Sequence, residues 1–206
     1  MKLKNILPLL FVTISASAFA DGPYILGEVT HSKLSLNNAK LDSDLTAAGA
    51  TGVSSNNDGS GNQWRFQAGY KFNSYFAVEA GYIDLGTAKY NASFAGGSAQ
   101  GSDKAAGLDL VVLGILPISN NLSIFGKTGL VAAKVKTELS SSAPVTVSIS
   151  DSSTELRPLL GMGTMYSIQK NVDLRVDYDH VSGLGNSGKG AKITDNMLSA
   201  GISYNF

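Results

Sequence analysis

Apolar and polar residues alternate with a period of two over most of the chain. From Gln63 to Phe72, the residues Trp64, Phe66, Ala68, Tyr70 and Phe72 alternate with Gln63, Arg65, Gln67, Gly69 and Lys71. Successive side chains of a strand point to opposite faces, so this segment predicts a strand with one apolar and one polar face. After Asn73-Ser74-Tyr75 the pattern resumes at Phe76, Val78, Ala80 and Tyr82, the spacing of a tight hairpin. It recurs at Leu108 to Leu116, Leu122 to Ala132 and Leu156 to Ile168. Past Gln169-Lys170-Asn171, Val172, Leu174, Val176 and Tyr178 alternate with Asp173, Arg175, Asp177 and Asp179. The chain closes on Leu198, Ala200, Ile202, Tyr204 and Phe206 against small or polar neighbours; with Tyr24 to Ser32 this makes eight strands.

An even number of strands joined alternately by short and long connections predicts an all-β, eight-stranded antiparallel up-and-down transmembrane barrel. Short turns fall near 73 to 75, 117 to 121 and 169 to 171. Long loops rich in Gly, Ser, Asn and Asp fall near 34–62, 86–104, 137–153 and 182–192. In such barrels the short turns face the periplasm and the long loops the exterior. Within the third loop, Val145-Thr146-Val147-Ser148-Ile149 alternates again and predicts a hairpin reaching beyond the membrane.

Charge tests the arrangement independently, because the apolar residues set each strand's phase. Glu28, Arg65, Lys71, Glu79, Asp109, Lys127, Arg157, Asp173, Arg175, Asp177 and Asp179 all fall opposite the apolar stripe. A lipid-facing Arg or Lys at the midplane costs roughly 2 to 4 kcal/mol, a large share of a domain's stability. These residues are therefore expected inside. Six acids against five bases imply a mutually paired core, since an unpaired buried charge is expensive.

Aromatic positions complete the pattern. Phe72, Phe76, Tyr166, Tyr204 and Phe206 lie near the short-turn end of the apolar face, and Trp64, Tyr82 and Tyr178 near the long-loop end. Two such girdles mark the interfaces of a membrane barrel. Tyr204 and Phe206, ending an alternating final strand, are read as the assembly signal for the barrel-assembly machinery of the outer membrane. A soluble barrel with the apolar face inside is the alternative, and parity alone does not distinguish it. The terminal Phe206, the one-sided loops and the girdles speak against it.

The N-terminus agrees. Lys2 and Lys4, an apolar run from Ile6 to Phe19 and Ala18-Phe19-Ala20 before Asp21 form a signal-peptide pattern over 1–20, leaving 21–206 as one outer-membrane barrel domain. Without Lys2 and Lys4 the chain carries 14 basic and 16 acidic residues, a balance that suggests no nucleic-acid partner. There is no cysteine, so neither a disulfide nor a thiolate metal site is available.

The stretches YFAVEAGYIDLG (75 to 86), LPISNNLSIFGKTGL (116 to 130), LRPLLGMGTMYSIQKNVDLRVDYDH (156 to 180) and NMLSAGISYNF (196 to 206) resemble the eight-stranded OmpA-type outer-membrane barrel family. The resemblance covers most strands from the third onward and does not extend to the loops. It implies an interior gate in which a glutamate pairs with an arginine across the lumen and can switch to a lysine. Glu79 matches the glutamate and Arg175 the arginine. Leu113 stands at the lysine position and Met165 at another interior glutamate position, so a switch requires Lys127 or Arg65 instead. Larger members carry a periplasmic peptidoglycan-binding domain after the barrel; the chain stops at Phe206, and a barrel-only member is expected.

Three classes of function follow. A structural or surface-interaction barrel would display its outer loops from a rigid scaffold, supporting the envelope and meeting an extracellular ligand that the sequence does not identify. Its partners would include outer-membrane lipid and lipopolysaccharide, whose phosphates Lys33, Lys89, Lys104, Lys134, Lys136, Lys189 and Lys192 could meet at the outer rim. The same lysines could equally serve only to solvate the loops. A narrow gated pore is the alternative. Eight strands leave a lumen just wide enough to fill with side chains, although Gly69, Gly81, Gly129, Gly161, Gly163 and Gly201 leave local room. An enzyme is the third class; the only histidines, His31 and His180, lie near the outer rim on the lipid-side parity, and His180 lacks an orienting carboxylate from its own strand because Asp179 points to the opposite face. No cofactor is called for, and Asp42, Asp44 and Asp58 lack the spacing of a calcium loop.

Overall fold

A computed structural model of the chain describes residues 22–36, 39–142, 148–184 and 193–206. The expected signal peptide, the outer segment 185–192 with Lys189, Val145 to Val147, and Lys192 lie outside the described residues.

Among the described residues, nine strands and one helix follow in order: β1 (Pro23–Leu36), α1 (Ala39–Ala47), β2 (Ser54–Asp58), β3 (Ser60–Asn73), β4 (Phe76–Phe94), β5 (Gly97–Pro117), β6 (Leu122–Ser141), β7 (Ser148–Gln169), β8 (Val172–Leu184) and β9 (Ile193–Asn205). All neighbours pair antiparallel, β4 pairs with β5, and β1 pairs with both β3 and β9. The sheet thus closes into a barrel of eight staves, with the short β2 continuing the β3 stave along β4. Closure removes every free edge that a membrane could not hydrate.

Faces follow the alternation. Val29, Phe66, Leu108, Leu110, Leu156, Leu160, Leu198 and Ile202 are exposed on the outside, while Glu28, Arg65, Glu79, Asp109, Lys127 and Arg175 are buried. An inward charge set beneath an outward apolar belt is the arrangement of a barrel that dissolves in lipid. Aromatic rings of the outward face lie against one another in groups. Trp64 stacks on Tyr82 with ring centroids 5.0 Å apart, Phe72 lies 5.5 Å from Phe76, and Tyr204 meets Phe206 edge-on at 5.2 Å.

The outer connections differ from expectation. Spanning a bilayer takes about 9 to 11 residues per strand. Strands β4, β5, β6 and β7 run for 19, 21, 20 and 22 residues, whereas β8 and β9 have 13 each. Of the segments read as loops, 86–104 is largely strand, 137–141 and 148–153 are strand, and so is most of 54–62 in the first loop. These stretches mix Gly, Ser and Asn with few large apolar residues, a loop-like composition that masks the alternation of Ala88, Tyr90, Ala92 and Phe94 with Lys89, Asn91 and Ser93. The result is a five-stranded sheet, β2 with the outer halves of β4 to β7, rising from one side of the barrel mouth. Gly86 enters it through a bulge at φ 85°, its amide donating to Asp84 Oδ1 at 2.9 Å, a left-handed position suited to glycine.

Helix α1 closes the lumen side of that sheet. Leu45 and Ala50 pack with Tyr90, Ala92, Phe94 and Ala99, and Leu41, Val53 and Leu139 flank them. Tyr90 donates its hydroxyl to Asp42 Oδ1 at 2.6 Å, and Ser55 Oγ donates to Asp42 Oδ2 at 2.9 Å. Burial, followed by the Asp42 carboxylate, raises the Tyr90 phenol above its ordinary range.

Candidate functional site: an ion-paired lumen

Inward positions from six staves converge at mid-barrel. Arg175 on β8 reaches across the lumen to Glu79 on β4: Nη1 donates to Oε1, and Nη2 donates to Oε2 at 3.2 Å. A planar guanidinium matches a carboxylate in this two-pronged form and holds it in one orientation. Arg175 Nε also donates to Asp177 Oδ1 at 2.9 Å, and the guanidinium lies 4.4 Å over the Phe125 ring. The Tyr24 hydroxyl donates to Glu79 Oε1 at 2.5 Å.

A second centre adjoins the first. Arg65 Nη1 lies 2.6 Å from Asp179 Oδ2 and 3.5 Å from Glu28 Oε2, and Nη2 lies 3.0 Å from Asp109 Oδ2. Lys127 Nζ sits 2.6 Å from Asp177 and 2.8 Å from Asp179, joining the two centres. Gln67 donates to Asp109 Oδ2 at 2.9 Å. Charges this far from water persist only with such partners.

Two of the expected network residues stand apart from it. Asp173 lies at the short-turn mouth, where Lys71 Nζ approaches it at 3.2 Å and Ser167 and Asn205 donate to it. Arg157 lies toward the outer mouth and pairs with Glu155 at 2.7 Å, with a third of its side chain exposed. The expected charge balance is corrected accordingly. The central cluster holds five carboxylates (Glu28, Glu79, Asp109, Asp177, Asp179) and three cations (Arg65, Lys127, Arg175). Parity reports the face a side chain occupies and not its height, so counting all inward charges pools ions that never meet.

The lumen also holds groups that the charge pattern did not single out. Asp195 is fully buried and accepts the Ser32 hydroxyl at 2.5 Å; Thr30 and Ser199 share a hydrogen bond of 2.8 Å. Apolar side chains cap the ionic layer on both sides. Ile83, Leu85, Val131, Leu159, Val181 and Met197 lie toward the outer mouth, and Leu113, Ile115, Phe125 and Met165 toward the short turns. Their odd-numbered alternation on β5 to β9 was visible in sequence as inward parity, although only the charges had drawn notice. The interior glycines are filled as well. The Tyr24 ring occupies the space over Gly69, and Asp179 with Lys127 that over Gly161.

His31 and His180 point outward from the barrel, where each Nδ1 pairs with an asparagine, Asn62 at 3.0 Å and Asn196 at 2.8 Å. Asp42 is taken up by the α1 contacts, and Asp58 stands opposite Lys89 on the outer sheet.

An apolar outer belt, an ion-paired core and connections enlarged at one end define a transmembrane β-barrel of the outer-membrane type. The chain matches the family model of the OmpA-like transmembrane domain over residues 35–206, and it belongs to that family. Outer membrane protein A of Serratia marcescens is 33% identical over 139 residues, covering 67% of this chain and 37% of that protein. An uncharacterized protein of Coxiella burnetii is 28% identical over 167 residues, covering 69% of this chain and 67% of that one. The chain thus spans well under half the length of the Serratia relative. The crystal structure of Neisserial surface protein A shares the fold, with a TM-score of 0.55 at 15% identity over 90% of this chain and 97% of that one. The protein is an outer-membrane barrel of a Gram-negative bacterium.

Proposed function

We propose that the barrel is a structural, surface-exposed element of the outer membrane whose interior is plugged. The observation that carries this reading is the stacking within the lumen: an ionic layer knitted by Arg65, Lys127 and Arg175 lies between two apolar layers. An ion crossing such a lumen must break several buried pairs and cross apolar side chains at each end. What the protein offers outside is a rigid sheet and helix, positioned for contact with the envelope or an external partner. Its role is presentation and envelope integrity, without a chemical step.

A gated pore is the second reading, favoured by Asp177. That carboxylate accepts from both Arg175 and Lys127, so a lysine stands beside the Arg175 and Glu79 pair although Leu113 occupies the position the family resemblance assigns to it. Single-channel recording of the barrel in planar bilayers separates the two readings. A silent, correctly folded protein is the expected result. Discrete steps altered by Glu79→Ala or Arg175→Ala would replace the plugged barrel with a gate at this pair.

A further inference from the structure

Asp195 is embedded in the outer apolar layer of the lumen, away from the ionic network. Its cross-strand partners are Leu34 on β1 and Val181 on β8, and the next inward residue of its own strand is Met197. All three are buried, as is Asp195 itself. Ser32 donates to Oδ1 at 2.5 Å, while Oδ2 is buried without a hydrogen-bond partner among the described residues. No described lysine or arginine pairs with it. In such a place a carboxylate is far more costly than its neutral acid.

The charged and titratable groups around Asp195 do not supply the missing cation. On β8, Asp179 is the next inward residue below Val181 and is held by Arg65 and Lys127. His180 points outward, its Nδ1 paired with Asn196. On β1, His31 and Lys33 are exposed, and Glu28, two inward positions below Ser32, lies with Arg65 and Arg175. Arg157 on β7 pairs with Glu155.

The backbone beside Asp195 is interrupted. Val181 is the last residue of β8 in continuous register with both neighbours, Leu159 on β7 and Asp195 on β9. Beyond it the β8–β9 ladder keeps only Leu184 opposite Ile193, across a register shift that passes Gly183 at φ 76°. Such a shift weakens the ladder locally. The end of β8, Ser182 to Leu184, is thus joined to β9 by one cross-strand pair, and the buried acid stands at its root. Asp195 also lies above the lipid belt, because the outward row beside it, His180, Asn196 and Lys33, is polar.

We propose that the outer ends of β8 and β9 form a seal over the lumen that protonation of Asp195 closes. With its proton, Asp195 stays among Leu34, Val181 and Met197, and the end of β8 remains packed on the apolar layer. When the proton leaves to water, the carboxylate turns toward solvent and the end of β8 parts from β9. The ionic layer and the inner apolar layer lie below this point, so the inference goes beyond the plugged-barrel reading and does not depend on it.

The titration of the acid has the matching direction. Burial raises the Asp195 carboxyl; the Ser32 hydrogen bond lowers it, Asp179 raises it and His180 lowers it, and the outcome is a rise to about 6. The closed form therefore binds a proton that the open form releases. Its advantage is full below about pH 4, the ordinary carboxylate value, and is lost as pH rises through about 6.

The test is hydrogen exchange of the barrel in lipid nanodiscs between about pH 4 and about pH 8, read as protection factors corrected for intrinsic exchange. Amides of 181–184 and 193–197 are expected to gain at least tenfold in protection as pH falls below about 6, since a shift of two units corresponds to about a hundredfold. Asp195→Asn has no proton to lose, and its profile over these amides is expected to be flat. Ser32→Ala removes the hydrogen bond that favours the carboxylate and is expected to move the profile to higher pH; it also decides the matter where the asparagine variant fails to assemble. Histidines in general change charge between about pH 5 and 8, so His180→Gln and His31→Gln serve as controls and are expected to keep the profile.

A flat profile in the parent, a parent-like profile in Asp195→Asn, or an unmoved profile in Ser32→Ala would overturn the proposal. So would loss of the profile in either histidine variant, or an equal change across the belt strands. Failure here is separable from failure of the plugged-barrel reading. A silent barrel with a flat profile fails only here, and a conducting barrel with the acid-dependent seal fails only there.

Discussion

Arg175 and Glu79 face each other across the full width of the lumen and are joined at both prongs, with Nη2 to Oε2 at 3.2 Å. Both side chains are fully out of solvent. They come from β8 and β4, staves on opposite sides of the closed sheet, so the pair ties together parts of the barrel that share no ladder.

Removing one partner of a buried pair leaves the other charged and unsatisfied, at about 3 to 5 kcal/mol. Arg175→Ala strands Glu79 and loosens Asp177, and Glu79→Ala strands Arg175 and the Tyr24 hydroxyl. Each is expected to destabilise the barrel by about that amount in urea unfolding from lipid vesicles. The double variant is expected to lose less than the sum of the two singles, as neighbours in one network do. Additive losses would mean that the two side chains act independently.

Glu28 is the acid this core holds least firmly. Both of its oxygens are buried without a hydrogen-bond partner, and its closest cations are 3.5 Å and 3.8 Å away, in a cluster with two more carboxylates than cations. Glu28→Gln removes one negative charge from that surplus and is expected to change stability by less than about 1 kcal/mol, or to raise it. Asp177→Asn, which weakens bonds to Arg175 and Lys127 together, is expected to cost more. The same unfolding assay ranks them, and a larger loss for Glu28→Gln than for Asp177→Asn would contradict this account of the core.

Ile202 lies on the outward face of β9 between Leu174 on β8 and Gly27 on β1, and is 55% exposed to the lipid side. Ile202→Lys places a cation in the belt at a cost of roughly 2 to 4 kcal/mol, whereas Ile202→Ala keeps the face apolar. Fractionation is expected to show less of the lysine variant in the outer membrane and near-normal levels of the alanine variant. Normal levels of both would count against lipid exposure of this face.

Asp42 anchors α1 to the outer sheet through the Tyr90 and Ser55 hydroxyls. Asp42→Ala removes two such bonds at about 1 kcal/mol each. Hydrogen exchange over residues 39–53 is expected to accelerate by tenfold or more, while the belt strands keep their protection. Uniform acceleration across the barrel would show that the helix and the barrel open as one unit.

What was legible in the sequence was the eight staves and the alternation of faces along each, because a strand's periodicity is local; Asp195, outside the alternating stretch that begins at Leu198, was not singled out. Leu174 and Arg175 are neighbours in the chain, and their opposite fates, lipid and lumen, follow from that alone. The Arg175 and Glu79 pair was implied by family resemblance and not by spacing, since nothing local relates two residues 96 positions apart.

Height along the lumen was decided only by the tertiary structure. Which inward charges meet depends on the register of every ladder and the stagger with which the sheet closes, both set by pairing between distant segments. For this reason Arg157 and Asp173, on the inward parity of their strands, lie outside the central cluster, and the near-balance of charge expected of the whole lumen is not kept at its middle. The rising sheet of β4 to β7 was hidden for a related reason. The alternation of Ala88, Tyr90, Ala92 and Phe94 with Lys89, Asn91 and Ser93 sits within a Gly-, Ser- and Asn-rich composition that reads as loop, and these segments become strand because each neighbour supplies the next with a ladder of backbone hydrogen bonds.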